Sequence, residues 1–311
     1  MKILVTGATG FLGQTLCRHL SDAGHMVVGL GSKDADLTDA TSLLRYNQHR
    51  YDYVYHLAAW TQAGDFCLRH PGEQWIKNQQ INTTVLAWWR DCQFQAKMVG
   101  IGTSCSYAPH LATTEESYLQ GMPIDSLLAY AMTKRMLYVG LQAIQRQYGG
   151  SFVYVVPSTL YGPGYHTDER QLHFIFDLIR KILRGKYHGE PVVLWGDGEQ
   201  TRELIYLEDF VHCLLDVGER CENDIINIGT GEARSIKYFA NKICEYVGYP
   251  FERVQFDPAK YVGARSKFLN IDKLKKHIPQ LSFTKLEAGL AKTIDWFHAQ
   301  KGWEKSIGME G

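Results

Sequence analysis

The stretch Thr6-Gly7-Ala8-Thr9-Gly10-Phe11-Leu12-Gly13 stands directly after a β-branched run, Lys2–Val5, and opens the amphipathic segment Phe11–Leu20. In a chain with 29 glycines such a spacing says little by itself. Between a strand and a helix it is specific, because glycine permits a tight turn and lets backbone N–H groups approach a pyrophosphate at the positive end of the helix. Gly7, Thr9, Gly10, Phe11, Leu12 and Gly13 are therefore expected to form a dinucleotide phosphate loop.

The pattern that follows supports this. Met26–Leu30, Tyr53–Leu57, Met98–Ile101 and Phe152–Val156 read as buried strands, with helices predicted over 40–48, 72–90 and 127–147. Strand–helix alternation with crossovers of this length implies an α/β fold built on a doubly wound parallel sheet of the Rossmann kind. After Tyr161 the rhythm becomes irregular: a Gly/Pro turn at 161–164, a helix over 172–183, a strand over 192–195, a strand over 225–228, and helices over 235–247 and 286–299. We expect a dinucleotide-binding domain over 1–165, with a returning segment near 203–230, and a smaller mixed α/β substrate domain over 166–311.

Composition narrows the function. The 311 residues carry 33 basic and 33 acidic side chains. A neutral chain whose one basic run is Lys273-Leu274-Lys275-Lys276 does not read as a nucleic-acid protein. No apolar stretch approaches the ~20 residues of a membrane span, and the first residues form a strand pattern instead of a leader, so a cytoplasmic protein is expected. The seven cysteines are odd in number and contain no C-x-x-C pair, which points to reduced thiols and to no metal site.

Cofactor choice is read at the end of the second strand, where a carboxylate would accept from an NAD ribose and repel a 2′-phosphate. Here the sequence is Gly29-Leu30-Gly31-Ser32-Lys33. A hydroxyl and an ammonium in place of the acid favour NADP(H), with NAD as the alternative. Asp36 and Leu37 are expected to close over the adenine, and Leu57, Ala58 and Ala59 offer small side chains beside the nicotinamide ribose.

The fourth strand ends in Gly102-Thr103-Ser104-Cys105-Ser106-Tyr107, and Tyr130-Ala-Met-Thr-Lys134 follows 27 positions after Thr103. Tyr130 and Lys134 share a helical face, where an ammonium can draw a phenol pKa toward neutrality. Thr103, Tyr130 and Lys134 together resemble the carbonyl-reduction centre of the short-chain dehydrogenases. With Gly7/Gly10/Gly13, His56–Ala59, the Tyr161-Gly-Pro163 turn and Trp195–Arg202, the resemblance is to that superfamily's extended branch and spans nearly the whole chain. Ser104-Cys105 replaces the Asp-Glu pair of the sugar 4,6-dehydratases, which argues against elimination.

The Gly-Thr-Ser-Cys-Ser-Tyr stretch, Glu115–Gly121, Tyr130–Lys134, Pro157–Pro163 and His173 resemble the GDP-L-fucose synthase family. That family epimerises a GDP-4-keto-6-deoxyhexose at C3 and C5 and reduces it at C4. The resemblance implies Cys105 and His173 as its acid/base pair. A 4-ketone acidifies both neighbouring C–H bonds, and thiol and imidazole titrate near neutrality, so His173 is expected as base and Cys105 as acid. It also implies Pro157 and Leu160 at the cofactor and Lys181, Trp195 and Arg202 at the nucleotide diphosphate and base, with Lys267 as a possible further charge. Thr159 stands where the family has Asn, and 164–170 departs from the usual loop; His166 there competes with His173 for the base role.

By the same resemblance, Val85–Trp89 and Met136–Ile144 would form a homodimer interface of four helices. The small-molecule partner expected is a nucleotide sugar. Alternatives are a nucleotide-sugar 4-epimerase or a simple 4-reductase, and, outside enzymes, a cofactor-sensing protein on the same fold.

Overall fold

The computed structural model describes residues 1–167, 170–260, 265–300 and 302–304. The chain opens as β1 (Lys2–Thr6), α1 (Phe11–Asp22), β2 (Met26–Leu30), β3 (Tyr53–His56), the short α2 (Phe66–Arg69), α3 (Pro71–Cys92), β4 (Lys97–Ile101) and α4 (Leu128–Tyr148). It continues through β5 (Phe152–Pro157), β6 (Thr159–Tyr161), α5 (Phe174–His188), β7 (Val192–Trp195), β8 (Thr201–Tyr206), α6 (Leu207–Arg220) and β9 (Asp224–Ile228). The remaining elements are β10 (Ala233–Ser235), α7 (Ile236–Val247), β11 (Val254–Asp257), α8 (Asp272–His277) and α9 (Leu286–Ala299).

Six strands form a parallel sheet in the order β2-β1-β3-β4-β5-β9. The apolar runs that read as buried strands are its centre: Leu4, Val54, Val99 and Val155 have no solvent exposure. Strand order reverses between β1 and β3, so a crevice opens past their carboxyl ends, the usual ligand position in such sheets. A second core, built on Ile175, Phe176, Ile179, Phe239, Ile243 and Phe297, packs α5, α7 and α9 around the small sheets β10-β8-β6 and β11-β7. Phe11 packs against both cores, its ring set edge-on to Tyr165 and Phe176. The start of α1 is thereby tied to the second core.

Two expectations need correction. The helix predicted over 40–48 is a single 3₁₀ turn, Leu44–Tyr46. Asp36 and Asp39 accept hydrogen bonds from the backbone and hydroxyls of Thr38 and Thr41, and these local turns compete with helix. Val85, Trp88 and Trp89 are buried within the chain, Trp88 beside Tyr51 and Asn47 and Trp89 beside Phe94, so these three offer no surface to a partner. The large apolar side chains exposed on these helices are Trp75, Ile76, Met136, Val139 and, at the end of α4, Tyr148.

Candidate active site

The phosphate loop is built as its glycines require. Gly7 has φ +72°, and a Cβ there would lie 2.8 Å from the Ala58 backbone nitrogen. At Gly13 a Cβ would lie 2.2 Å from the Gly7 carbonyl oxygen, so the helix reaches this close to the loop only with glycine. No side chain caps α1 at Gly10. Its first-turn N–H groups are thus left to an external acceptor, which fits a pyrophosphate.

At the end of β2, Ser32 and Lys33 are exposed. The nearest carboxylate, Asp34, turns back to accept from the Gly31 N–H at 2.8 Å. Thr9 sits against Gly31, and the wall between them leaves no room for a side chain at 31. Asp36 is exposed and held below the usual carboxylate range by hydrogen bonds from Thr38, while Leu37 is buried.

Under the floor of the crevice runs a polar chain that sequence reading did not find. Ala58 N–H donates to Thr6 Oγ1 at 3.3 Å, and Thr6 Oγ1 lies 2.9 Å from His56 Nδ1. His56 Nε2 is 3.2 Å from Asn82 Oδ1, and the Asn82 amide donates to the Thr133 carbonyl at 3.2 Å. Each group is satisfied if His56 is neutral, protonated at Nε2, with Thr6 donating to Nδ1. Burial, assisted by Lys134, lowers the His56 pKa to about 3, which keeps it neutral. The only sequence signal was the identity of four polar residues in otherwise apolar strand and helix faces.

At the end of β4, Thr103 caps the turn Ser104–Ser106, its hydroxyl accepting from the Cys105 N–H at 3.2 Å. Arg135, buried on α4, clamps the next residues by donating to the carbonyls of Ser106, Gln120 and Gly121. Lys134 Nζ donates to the Ile101 carbonyl at 2.9 Å, and burial lowers its pKa to about 8. The Tyr130 phenol is pushed up, first by burial and then by the neighbouring thiols Cys105 and Cys67. The expected lowering of Tyr130 by Lys134 is therefore not seen: the ammonium is engaged with the Ile101 carbonyl.

Cys105 Sγ accepts from Lys267 Nζ at 2.9 Å. Burial raises the thiol pKa, but Lys267, the Thr103 hydroxyl and the charge of Arg202 outweigh it, and the net direction is down. His173 is the cap residue of α5, half-buried, and its Nδ1 is a buried atom with no hydrogen-bond partner among the described residues. Burial together with Lys267 and Arg202 lowers its pKa to about 3. Since Lys267 and Arg202 act on both Cys105 and His173, the four side chains share one region.

Arg202 on β8 is paired in register with Arg234 on β10. Trp195 ends β7 with 54% of its surface exposed, and Lys181 Nζ lies 5.8 Å from its ring centroid. Lys181 also pairs with Asp177 at 3.0 Å, a carboxylate it shares with Arg180. An exposed indole beside an ammonium is a platform for a nucleobase and its phosphates. Pro157 ends β5 and Leu160 lies in β6, both partly exposed. Glu203, unnoticed in the sequence, is a fully buried carboxylate that accepts from the N–H groups of Gly231 and Leu269 at 2.7 and 2.8 Å.

The chain is similar over nearly its whole length to known proteins. The chain is 28% identical over 310 residues to GDP-L-colitose synthase of Yersinia pseudotuberculosis, covering 97% of this chain and 99% of that one. It is 29% identical to GDP-L-fucose synthase of Escherichia coli K12, with 95% and 96% covered. Among solved structures, a GDP-L-fucose synthetase from Naegleria fowleri bound to NADP superposes with a TM-score of 0.85 at 26% identity, covering 98% of this chain and 96% of that one. The profile of the NAD dependent epimerase/dehydratase family matches residues 3–229, and to that family this chain belongs.

Proposed function

We propose that the chain is an NADPH-dependent nucleotide-sugar epimerase/reductase acting on a 4-keto-6-deoxyhexose carried by a nucleoside diphosphate. The observation that carries this reading is the meeting of Thr103, Tyr130 and Lys134, a reduction set, with Cys105 and Lys267, a thiol and its cation, at the end of one strand. A 4-epimerase has no use for the second pair. Similarity to relatives named as GDP-L-colitose and GDP-L-fucose synthases supports the substrate class.

The N–H groups at the start of α1 would hold the cofactor's pyrophosphate, and Ser32 and Lys33 a ribose 2′-phosphate. When bound, the cofactor supplies hydride to the sugar's C4. Arg202 and Lys181 would hold the substrate's phosphates, with Trp195 against its base. Thr103 and Tyr130 donate to the oxygen at C4, first as that oxygen gains charge on enolisation and finally, from Tyr130, as it becomes a hydroxyl. Bringing the Lys134 ammonium toward the phenol, away from Ile101, offsets the burial that keeps Tyr130 protonated.

For proton transfer at carbon, the electrostatics reverse the assignment made from residue types. Cys105 is held toward thiolate and is the better base. His173 is neutral, its pKa lowered to about 3 first by burial and then by Lys267 and Arg202, so it can donate to the opposite face only after taking up a proton during turnover.

The reading is tested by mixing the protein with NADPH and GDP-, dTDP-, CDP- or UDP-linked 4-keto-6-deoxyhexoses. Cofactor oxidation with at least one is expected, and Tyr130→Phe should lower the rate by about 100-fold or more. No oxidation with any of them would reject the proposal.

A further inference from the structure

We infer that Lys267 is a positioning residue for proton transfer at carbon: held against Cys105, its ammonium keeps the thiol ready as a base instead of serving as one more phosphate contact. This inference rests on the functional reading above, and it concerns a residue 162 positions away in the chain from the thiol it touches.

The geometry is deliberate in the sense that several independent bonds enforce it. The segment carrying Lys267 runs alongside β8: the N–H of Thr201 donates to the Arg265 carbonyl at 2.8 Å, and that of Glu203 to the Lys267 carbonyl at 3.2 Å. Thr201 and Ser266 hydroxyls are 2.9 Å apart. The buried Glu203 carboxylate then takes the Leu269 N–H, and Thr113 Oγ1 donates to the Phe268 carbonyl at 2.7 Å. A backbone pinned on both sides of Lys267 limits where its ammonium can go.

Lys267 and Thr103 contact Cys105 directly, Arg202 from β8 acts on it through its charge, and Tyr130 from α4 and Cys67 from α2 are near enough to interact with it electrostatically. Tyr130 and Cys67 are uncharged while protonated and supply no cation. Arg202 contributes charge, and Lys267 contributes both charge and a donated hydrogen bond at 2.9 Å. Such a charge-assisted contact favours the thiolate and fixes its direction.

The test is the pH dependence of Cys105 alkylation by iodoacetamide in the full chain, resolved by peptide mass spectrometry so that the other thiols do not contribute. For Lys267→Met the midpoint should move up by about one pH unit or more, slowing alkylation at pH 7 about tenfold. Lys267→Arg, which keeps the charge, should restore most of the rate. A midpoint unchanged in Lys267→Met, or Lys267→Arg as slow as Lys267→Met, would overturn the inference. Both outcomes are read without any sugar substrate, so they are separable from a failure to oxidise NADPH, which would instead reject the functional reading.

Discussion

His56 Nε2 and Asn82 Oδ1 lie 3.2 Å apart beneath the crevice, and the same Asn82 amide donates to the carbonyl of Thr133, the residue before Lys134. The loop after β3 and α4 are therefore joined through one buried imidazole. That imidazole is neutral, with its pKa lowered to about 3 by burial and by Lys134.

Acid stability follows from this lowering. In the unfolded chain His56 takes a proton near pH 6.5, whereas the folded protein refuses it until about pH 3, so stability falls as pH drops through that window. By pH 5 the loss from this group is about 2 kcal/mol. Chemical denaturation at pH 7 and pH 5 measures it. His56→Asn should show a smaller difference between the two pH values than the parent; an equal difference would contradict the assignment.

Lys134 sets the alkaline side of activity. Burial lowers its pKa to about 8, so in the free protein the ammonium is lost as pH rises through that value. Because kcat/KM reports free-enzyme groups, its profile for ketone reduction should fall above about pH 8. Lys134→Arg, whose guanidinium keeps its proton, should abolish that limb even if it lowers the plateau. A limb that stays in place would show that another group titrates there.

Two glycines give a paired test of the phosphate loop. Gly13→Ala places a methyl 2.2 Å from the Gly7 carbonyl oxygen and should weaken NADPH binding by about tenfold or more, measured by fluorescence titration. Gly72→Ala, in the first turn of α3 with no atom within 4 Å of the added carbon, should leave binding unchanged and raise helix stability by up to about 1 kcal/mol.

Much of this was legible in the sequence because the signals were local. The strand–glycine–helix start, the small residues after β3 and the i, i+4 pairing of Tyr130 with Lys134 each follow from backbone period and residue type. Other features depend on long-range partners. Nothing near Cys105 in the sequence announces Lys267, and the buried state of Glu203 is set by N–H groups from 231 and 269. Nor do residue types alone show that Lys267 and Arg202 act on both Cys105 and His173, which is why we propose Cys105, expected from its type as the acid, as the base. The helix expected over 40–48 failed for a local reason, since side-chain turns at Asp36 and Asp39, which accept from Thr38 and Thr41, compete with helix where it would start.

A homodimer through α3 and α4 would use Trp75, Ile76, Met136 and Val139, which these helices expose before the last turn of α4. Light scattering of the purified protein should give about twice the chain mass, and Met136→Lys with Val139→Glu should shift it toward one chain mass. Unchanged mass in the double variant would place the interface elsewhere.

The central claim is that one pocket both exchanges protons at carbon and delivers a hydride. The direct measurement is product mass and NMR after turnover of a GDP-4-keto-6-deoxyhexose with NADPH in D₂O. The account predicts protium at C4, from the cofactor, and deuterium at C3 or C5, with Cys105→Ser still reducing a ketone but losing the carbon-bound deuterium. A reduced product with no deuterium at either carbon, or deuterium undiminished in Cys105→Ser, would contradict it.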